Sequence, residues 1–570
     1  MPERFGPILL TEGMYAALPP QRLGPQASEQ LFNLFYNQIG RPQRRPGSVW
    51  VSRIGEGPVL ALHEHRFNSF PAEPRVAAVV ANRYTHSTTL TDPSFGSGVD
   101  GEAQGQVGLA IDALTHNRPV LGFAGRPTDR FTLASLFDRL YLAGSTIDYR
   151  VRWYDYVTGQ FSHIPGFRAT GVLAYRERLY AWGDPNQPHL LYPSNYAEPE
   201  TFRPELAIQV GDDNAPIITC LRAFGLIVIF TPAAVYQYLG FAPETGDLEL
   251  DVVDPIRGIA GPLAATVGGD GFVYWLSPEH GPCRWRRGLA AADTTFAEPM
   301  LDVFKAVAQR SLAATVVFYD PLFGGVHFLL PTGSSAVPNY IASFFPGVGE
   351  RGVWTHGAST TDTTIVGSKP DGQGNTRVTT VRGIQLGPLQ PAGAPLYTAA
   401  LYRQDPLLRR PVILAGDEHG SIYCWAPSAP RDKHRHSDSQ PGNGFTTLWR
   451  SGTLEAAPTG RRAMLHRVTL DLELPSDYGF DLRIERDYDR TFALTHAIEV
   501  RPHDTLDNTF KLNRSKLARR ELLPRHRRLP LWGDSLGKVQ RFELETQAAL
   551  VLHGIEGEVS RTDVPAHDEE

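Results

Sequence analysis

The sequence predicts an all-β chain built around a β-propeller of about seven blades, six to eight. An additional β-domain is expected from the C-terminal region together with the N-terminal segment. Three observations predict this. Short apolar strands follow polar turns repeatedly, they recur at blade-length intervals, and Gly 54 and Pro 46 are spread along the chain rather than gathered in a linker.

At 570 residues the chain exceeds one ordinary hydrophobic core, so several domains or one large closed repeat must share the load. Hydrophobic residues make up 42% and charged residues 20%, the balance of a globular chain rather than a disordered or fibrous one.

Five strands of one grammar run in order. They are Phe137-Asp-Arg-Leu-Tyr-Leu-Ala-Gly144, Arg176-Glu-Arg-Leu-Tyr-Ala-Trp-Gly183, Phe224-Gly-Leu-Ile-Val-Ile-Phe230, Gly269-Asp-Gly-Phe-Val-Tyr-Trp-Leu276 and Phe323-Gly-Gly-Val-His-Phe-Leu-Leu330. Taking Leu140, Leu179, Leu226, Val273 and Val326 as equivalent gives spacings of 39, 47, 47 and 53, near the roughly 40 to 50 residues of a four-stranded blade. Gly416 to Trp425 repeats the grammar with Ile422 lying 96 residues after Val326, which leaves room for a weaker blade around Thr363 to Val381. A β-sandwich would not keep a blade-length repeat, whereas blades stacked around an axis bury both faces of every small sheet.

The ends read differently. Gln26 to Tyr36 places Leu31, Leu34 and Phe35 on one face of a short helix or of an extended segment, and Asp432 to Asn443 is a polar stretch rich in His, Gly and Ser. Arg467 to Leu474 alternates almost without fault, as do Asp481 to Glu485 and Phe542 to Glu545, the mark of half-exposed antiparallel strands. The expected division is a segment 1–74 lying on the C-terminal domain, a propeller over 75–430, a linker over 431–449 and a β-domain over 450–570 that supplies subunit contacts.

Charge and cysteine content exclude several classes. A net charge of −6 with a pI near 6.3 gives no global reason for tight nucleic-acid binding. Cys220, Cys283 and Cys424 have no paired short spacing, so no disulfide framework or zinc knuckle is expected. Met1 to Pro20 lacks a basic stretch followed by a long apolar run, and the most apolar stretch, Leu226 to Phe230, is far short of a membrane span, so a soluble chain without an export signal is expected.

Candidate chemistry is weighed against plain structural use. His63-Glu-His65 and His434-Arg-His436 place imidazoles two apart, facing one side of a strand, but neither pair has the partners of a recognisable zinc site, so no metal is expected. Asp138, Glu177, Asp270 and Asp417 are the carboxylates that a glycoside hydrolase would need to bring together. All four precede blade strands at turns, where acids cap the backbone, so no catalytic residue is expected among them. Phosphate loops, dinucleotide fingerprints and nucleophile elbows are missing, and no cofactor is expected. The strongest local charge feature is the basic run Arg514, Lys516, Arg519, Arg520, Arg525, Arg527 and Arg528, suited to docking on an acidic neighbour or to touching DNA, and equally to lying in solvent.

Several segments taken in order, Pro19-Pro20-Gln21, Asn33-Leu-Phe-Tyr36, Gly40 and Arg44-Arg-Pro-Gly47 first among them, resemble the tail nozzle or tail hub proteins of short-tailed bacteriophages. The resemblance continues through Phe137 to Leu142, Leu191 to Phe202, Leu226 to Thr231, Val235 to Gly240, Val253 to Gly261 and Gly268 to Trp275, and closes with Phe542 to Glu545 and Gly554 to Arg561. It breaks between Thr363 and Pro411. The resemblance implies a non-enzymatic structural protein of the virion tail, assembled in the host cytoplasm as a homo-oligomeric ring, commonly of six copies. Such a ring is stacked below the portal and the head-to-tail adaptor, next to other tail or fibre proteins, and encloses the channel through which double-stranded DNA leaves without being held tightly. Two other classes stand beside this one: a propeller glycoside hydrolase, and a propeller scaffold that binds another protein through its flat face.

Overall fold

The computed structural model describes residues 3–15, 22–65, 74–82, 106–114, 121–126, 128–146, 148–212, 215–239, 244, 249–305, 307, 309–332, 335–358, 367–370, 376–379, 397–404, 411–426, 447–455, 461–474, 479–486, 494–499, 525–537, 539–546 and 551–565. Within them the chain is all-β, and seven small antiparallel sheets form a closed ring.

The first blade is Val59–His65, Arg75–Asn82, Gln106–Ala110 and Leu121–Ala124. The second is Phe131–Leu136, Arg139–Gly144, Arg150–Asp155 and Phe161–Arg168. The third is Gly171–Tyr175, Arg178–Asp184, Gln187–Asn195 and Glu198–Phe202, and the fourth is Thr219–Ala223, Leu226–Phe230, Val235–Tyr238 and Leu250–Asp254. The fifth has three strands, Ala265–Val267, Val273–Ser277 and Gly281–Trp285, and the outer edge of the last is bridged at Arg284 by the backbone of Asp293. The sixth is Val316–Asp320, Gly325–Leu330, Tyr340–Phe345 and Val353–Ala358. The seventh takes Tyr397–Gln404, Pro411–Asp417 and Ser421–Ala426 and borrows its outermost strand, Gly47–Arg53, from the N-terminal region.

The first strand of each blade lies beside the first strand of the next, all the way round, and the seventh meets the first. The expected equivalence holds for Leu140, Leu179, Leu226, Val273 and Val326, each on the second strand of its blade and each buried. Two-residue hairpins keep the register: Phe224 and Gly225, both with positive φ, turn the chain between the paired residues Ala223 and Leu226. Four of the core clusters each fill one seam between neighbouring blades, and the largest runs on from the fourth to seventh blades into the platform. Phe123, Phe131 and Leu140 lie between the first two blades, and Trp182, Ile208 and Ile227 between the third and fourth. Each such fully buried side chain contributes about 1.5–3 kcal/mol. Gly416 shows how close the seventh and first blades come, since a Cβ there would lie 2.4 Å from Val59 Cβ.

The ring differs from the sequence expectation in two places. The propeller begins at Gly47 rather than at 75, because both the closing strand and the first blade's inner strand come from the expected N-terminal segment. The weaker blade expected around Thr363 to Val381 falls partly outside the described residues, and its described strands, Gly367–Pro370 and Thr376–Thr379, pair with each other alone. The seventh unit is instead the sheet over 59–124. Of the two alternatives left open for Gln26 to Tyr36, a short helix or an extended segment, the structure takes the extended one, because Ala27–Phe32 finds strand partners on both sides.

Beyond the ring the C-terminal strands form a platform of two packed sheets. One carries Arg461–Leu474 between Arg525–Gly537 and Val551–Pro565, with Glu3–Ile8 and Pro42–Arg44 joining the latter. The other continues the sixth blade: Ala27–Phe32 lies against Val353–Ala358, followed outward by Thr447–Ser451, Val539–Thr546, Gly479–Arg486 and Leu494–Glu499. Leu470, Leu472, Leu482, Leu544 and Trp449 pack into one core, while Asp471 and Glu473 alternate outward as the sequence pattern predicts. The described part of the expected linker, from 447, is a strand of this sheet.

Candidate functional site

Successive hairpins of a blade lie at opposite ends of the ring, which decides what the four sequence-selected carboxylates can do together. Asp138, Glu177 and Asp270 sit in first-to-second-strand hairpins of the second, third and fifth blades, and so at one end. Asp417 sits between the second and third strands of the seventh blade, at the other end. A retaining or inverting pair needs its carboxylates within about 5–9.5 Å across a single sugar, and Asp417 is separated from the others by the length of a blade.

Turn capping accounts for two of the four acids, Asp417 and Asp270, whereas Glu177 bonds the Tyr196 hydroxyl. Asp417, buried, accepts the backbone N–H of His419 at 2.9 Å and of Ser421 at 2.7 Å. Asp270 accepts from the Phe272 N–H at 3.3 Å and from the Tyr274 hydroxyl at 2.5 Å. Asp155, Asp254 and Asp320 cap their own turns in the same way, a grammar recognisable beforehand as Asp at strand ends. Burial opposes ionisation of Asp254, but hydrogen bonds from the Ile256 and Ala292 N–H groups and from Arg257 outweigh it and hold the carboxyl below the usual range.

A repeated ion pair went unread in the sequence, although its signal is there: Asp138-Arg139-Leu140-Tyr141 and Glu177-Arg178-Leu179-Tyr180 begin equivalent strands. Arg139 reaches Glu200 of the third blade at 2.7 Å, and Arg178 reaches Glu244 at the fourth blade at the same distance. Each arginine fastens its blade to the following one.

His63 and His65 do face one side, as their spacing predicts. That side is the second blade, and both rings meet Ser135: His63 Nε2 lies 2.8 Å and His65 Nδ1 2.5 Å from its Oγ. The hydroxyl has one proton to donate, so it bonds one imidazole as donor and accepts from the other. His65 also stacks on Tyr156, with ring centroids 5.0 Å apart. Burial lowers His63 to about 4, and burial together with its neighbour His63 lowers His65 to about 3 against a weaker pull upward from Asp138, so both are neutral near pH 7. The arrangement holds two blades together through a polar seam. Among the described residues no group of three or more His, Cys, Asp or Glu could hold a metal ion.

His434, His436, Arg514, Lys516, Arg519 and Arg520 lie outside the described residues. Arg525, Arg527 and Arg528 fall on the platform strand Arg525–Gly537, opposite Leu474, Leu472 and Asp471, with side chains outside what is described. That strand and Leu494–Glu499 end the two platform sheets, each bonded on one side only among the described residues. No described helix is long and apolar enough to cross a membrane.

No protein-family model matches the chain, and no curated protein matches it. Among solved structures it is similar to the extracellular domain of a putative hybrid two-component system from B. thetaiotaomicron, with 11% identity and a TM-score of 0.27. The match covers 66% of this chain and 39% of that one.

Proposed function

We propose that this chain is a structural subunit of a bacteriophage tail, a non-enzymatic nozzle or hub protein that works as a ring, commonly of six copies, around the DNA exit channel. The observation that carries the reading is the continuity of the sixth blade with the platform, a sheet that runs from the propeller's inner strand to the terminal strand Leu494–Glu499. A propeller closes its own edges, but among the described residues the platform ends in strand edges that a neighbour would cover. Rigid linkage of the two parts suits a subunit that must hold position in an assembly rather than open around a substrate. The ordered sequence resemblance supports the same reading, and the turn hydrogen bonds of Asp270 and Asp417 favour a structural use of these two acids over a catalytic one.

In this reading the platform makes the subunit contacts and the propeller projects as a lobe, with the adaptor above and DNA passing without tight binding. Native mass measurement of the purified chain and imaging of virions test it. The expected result is one closed ring of this chain per tail; one isolated copy per particle, or absence from virions, would overturn it.

A further inference from the structure

We propose that residues 27–53 form a strap that couples closure of the propeller ring to docking of the platform, so that shifting the platform loosens the seventh blade. This inference stands independently of the tail reading. It rests on one continuous stretch of chain that makes three contacts in succession.

The strap starts in the platform, where Ala27–Phe32 pairs with Thr447–Ser451 and, at Phe32, with His356 of the sixth blade. At Asn33 the backbone takes a left-handed turn, with φ 55, a conformation asparagine tolerates better than most residues. The Asn33 N–H donates to the His356 carbonyl at 2.8 Å, and its carbonyl and Oδ1 accept from Arg45 N–H and Nε–H, each at 2.9 Å. Gly357 makes room, since a Cβ there would lie 2.7 Å from Asn33 Oδ1.

Next the strap enters the seam between the sixth and seventh blades. Phe35 stacks on His327 with centroids 4.7 Å apart and touches Phe323, Phe345 and, across the seam, Trp425. Finally Gly47–Arg53 becomes the seventh blade's outer strand, paired along Ser421–Ala426. Arg45, buried, ties the ends of this path, because its guanidinium bonds Asn33 on one side and the Pro46 carbonyl on the other. Platform, seam and ring closure therefore hang on one backbone, with no long loop between them to absorb a displacement.

Hydrogen exchange on the full chain tests the strap. Asn33→Ala removes the Arg45 acceptor and disfavours the left-handed turn; Phe35→Leu serves as the second variant if the first does not fold. Exchange is expected to rise by ~10-fold or more together in Thr447–Ser451 and in Ser421–Ala426, while Arg178–Asp184 of the third blade stays protected. A second arm uses Val49→Cys, which faces the resident Cys424 in register. Oxidised, that pair is expected to restore slow exchange in Ser421–Ala426 of the Asn33 variant. Faster exchange confined to the platform, an equal rise in every blade, or no rescue by the cross-link would each overturn the proposal.

Discussion

Arg139 Nη1 donates to Glu200 Oε1 at 2.7 Å, and the two residues belong to neighbouring blades. The guanidinium also binds Asp155 at 3.1 Å and lies over the Trp153 ring, so it joins two blades while shielding an aromatic face. With about a third of the side chain exposed, solvent weakens the pair, and Arg139→Ala is expected to cost about 1–2 kcal/mol in denaturant unfolding. Arg139→Lys should recover only part, because an ammonium cannot serve both carboxylates with a planar fork. An unchanged midpoint for the alanine variant would show the pair to be idle.

The Ser135 seam sets a pH dependence. His63 and His65 titrate in the folded chain at about 4 and about 3, below the ordinary value of 6.5. The unfolded chain therefore binds protons first, and acid favours unfolding. Stability from this seam is fully present above about pH 6.5 and is lost progressively as pH falls towards 4. Melting temperature measured from pH 7 to 4.5 should decline for the native protein and decline less for the variant carrying His63→Gln and His65→Gln. Parallel profiles would refute the assignment.

Asp417 is expected to matter for stability and for no reaction. Asp417→Ala leaves the buried Ser421 N–H and the part-buried His419 N–H without their acceptor and should cost about 1–3 kcal/mol. Asp270→Asn keeps one acceptor oxygen in an exposed turn and should cost less. Neither is expected to alter polysaccharides incubated with the protein; cleavage by the native chain that Asp270→Asn abolishes would restore the hydrolase reading.

The position of the first blade predicts where the chain can be cut. A fragment over 47–426 holds all seven blades, including the closing strand, and should be soluble by light scattering, with the seventh blade loosened by the loss of Phe35 from its seam. A fragment over 1–449 keeps Ala27–Phe32 but loses most of the platform that covers Leu31 and Leu34, and should aggregate. Equal solubility of the two would mean that the N-terminal strands need no platform.

Much of the architecture was legible because it is written locally. Leu140, Leu179, Leu226, Val273 and Val326 announce their strands through neighbours within a few residues, and the turn acids announce their duty through the strand that follows. The first blade carries no comparable local signal, because its strands, from Val59–His65 to Leu121–Ala124, lie beyond the run of similar motifs and are spaced unevenly. The paired histidines were rightly placed on one face, yet Ser135, their shared partner, lies about seventy residues away in another blade and has no signal of its own.

By itself the sequence determined an all-β chain, a ring of about seven blades and an alternating C-terminal domain, since strand period, turn chemistry and blade length depend on residues close together along the chain. Only the tertiary structure decided which strand closes the ring, where the platform joins it and what fills the seam at Phe35. Gly47–Arg53 pairs with Ser421–Ala426, and Phe35 meets Trp425, across most of the chain's length. Such contacts form because the seventh blade leaves one strand edge open and the seam leaves one apolar gap. Local pattern does not record which distant segment will fill them.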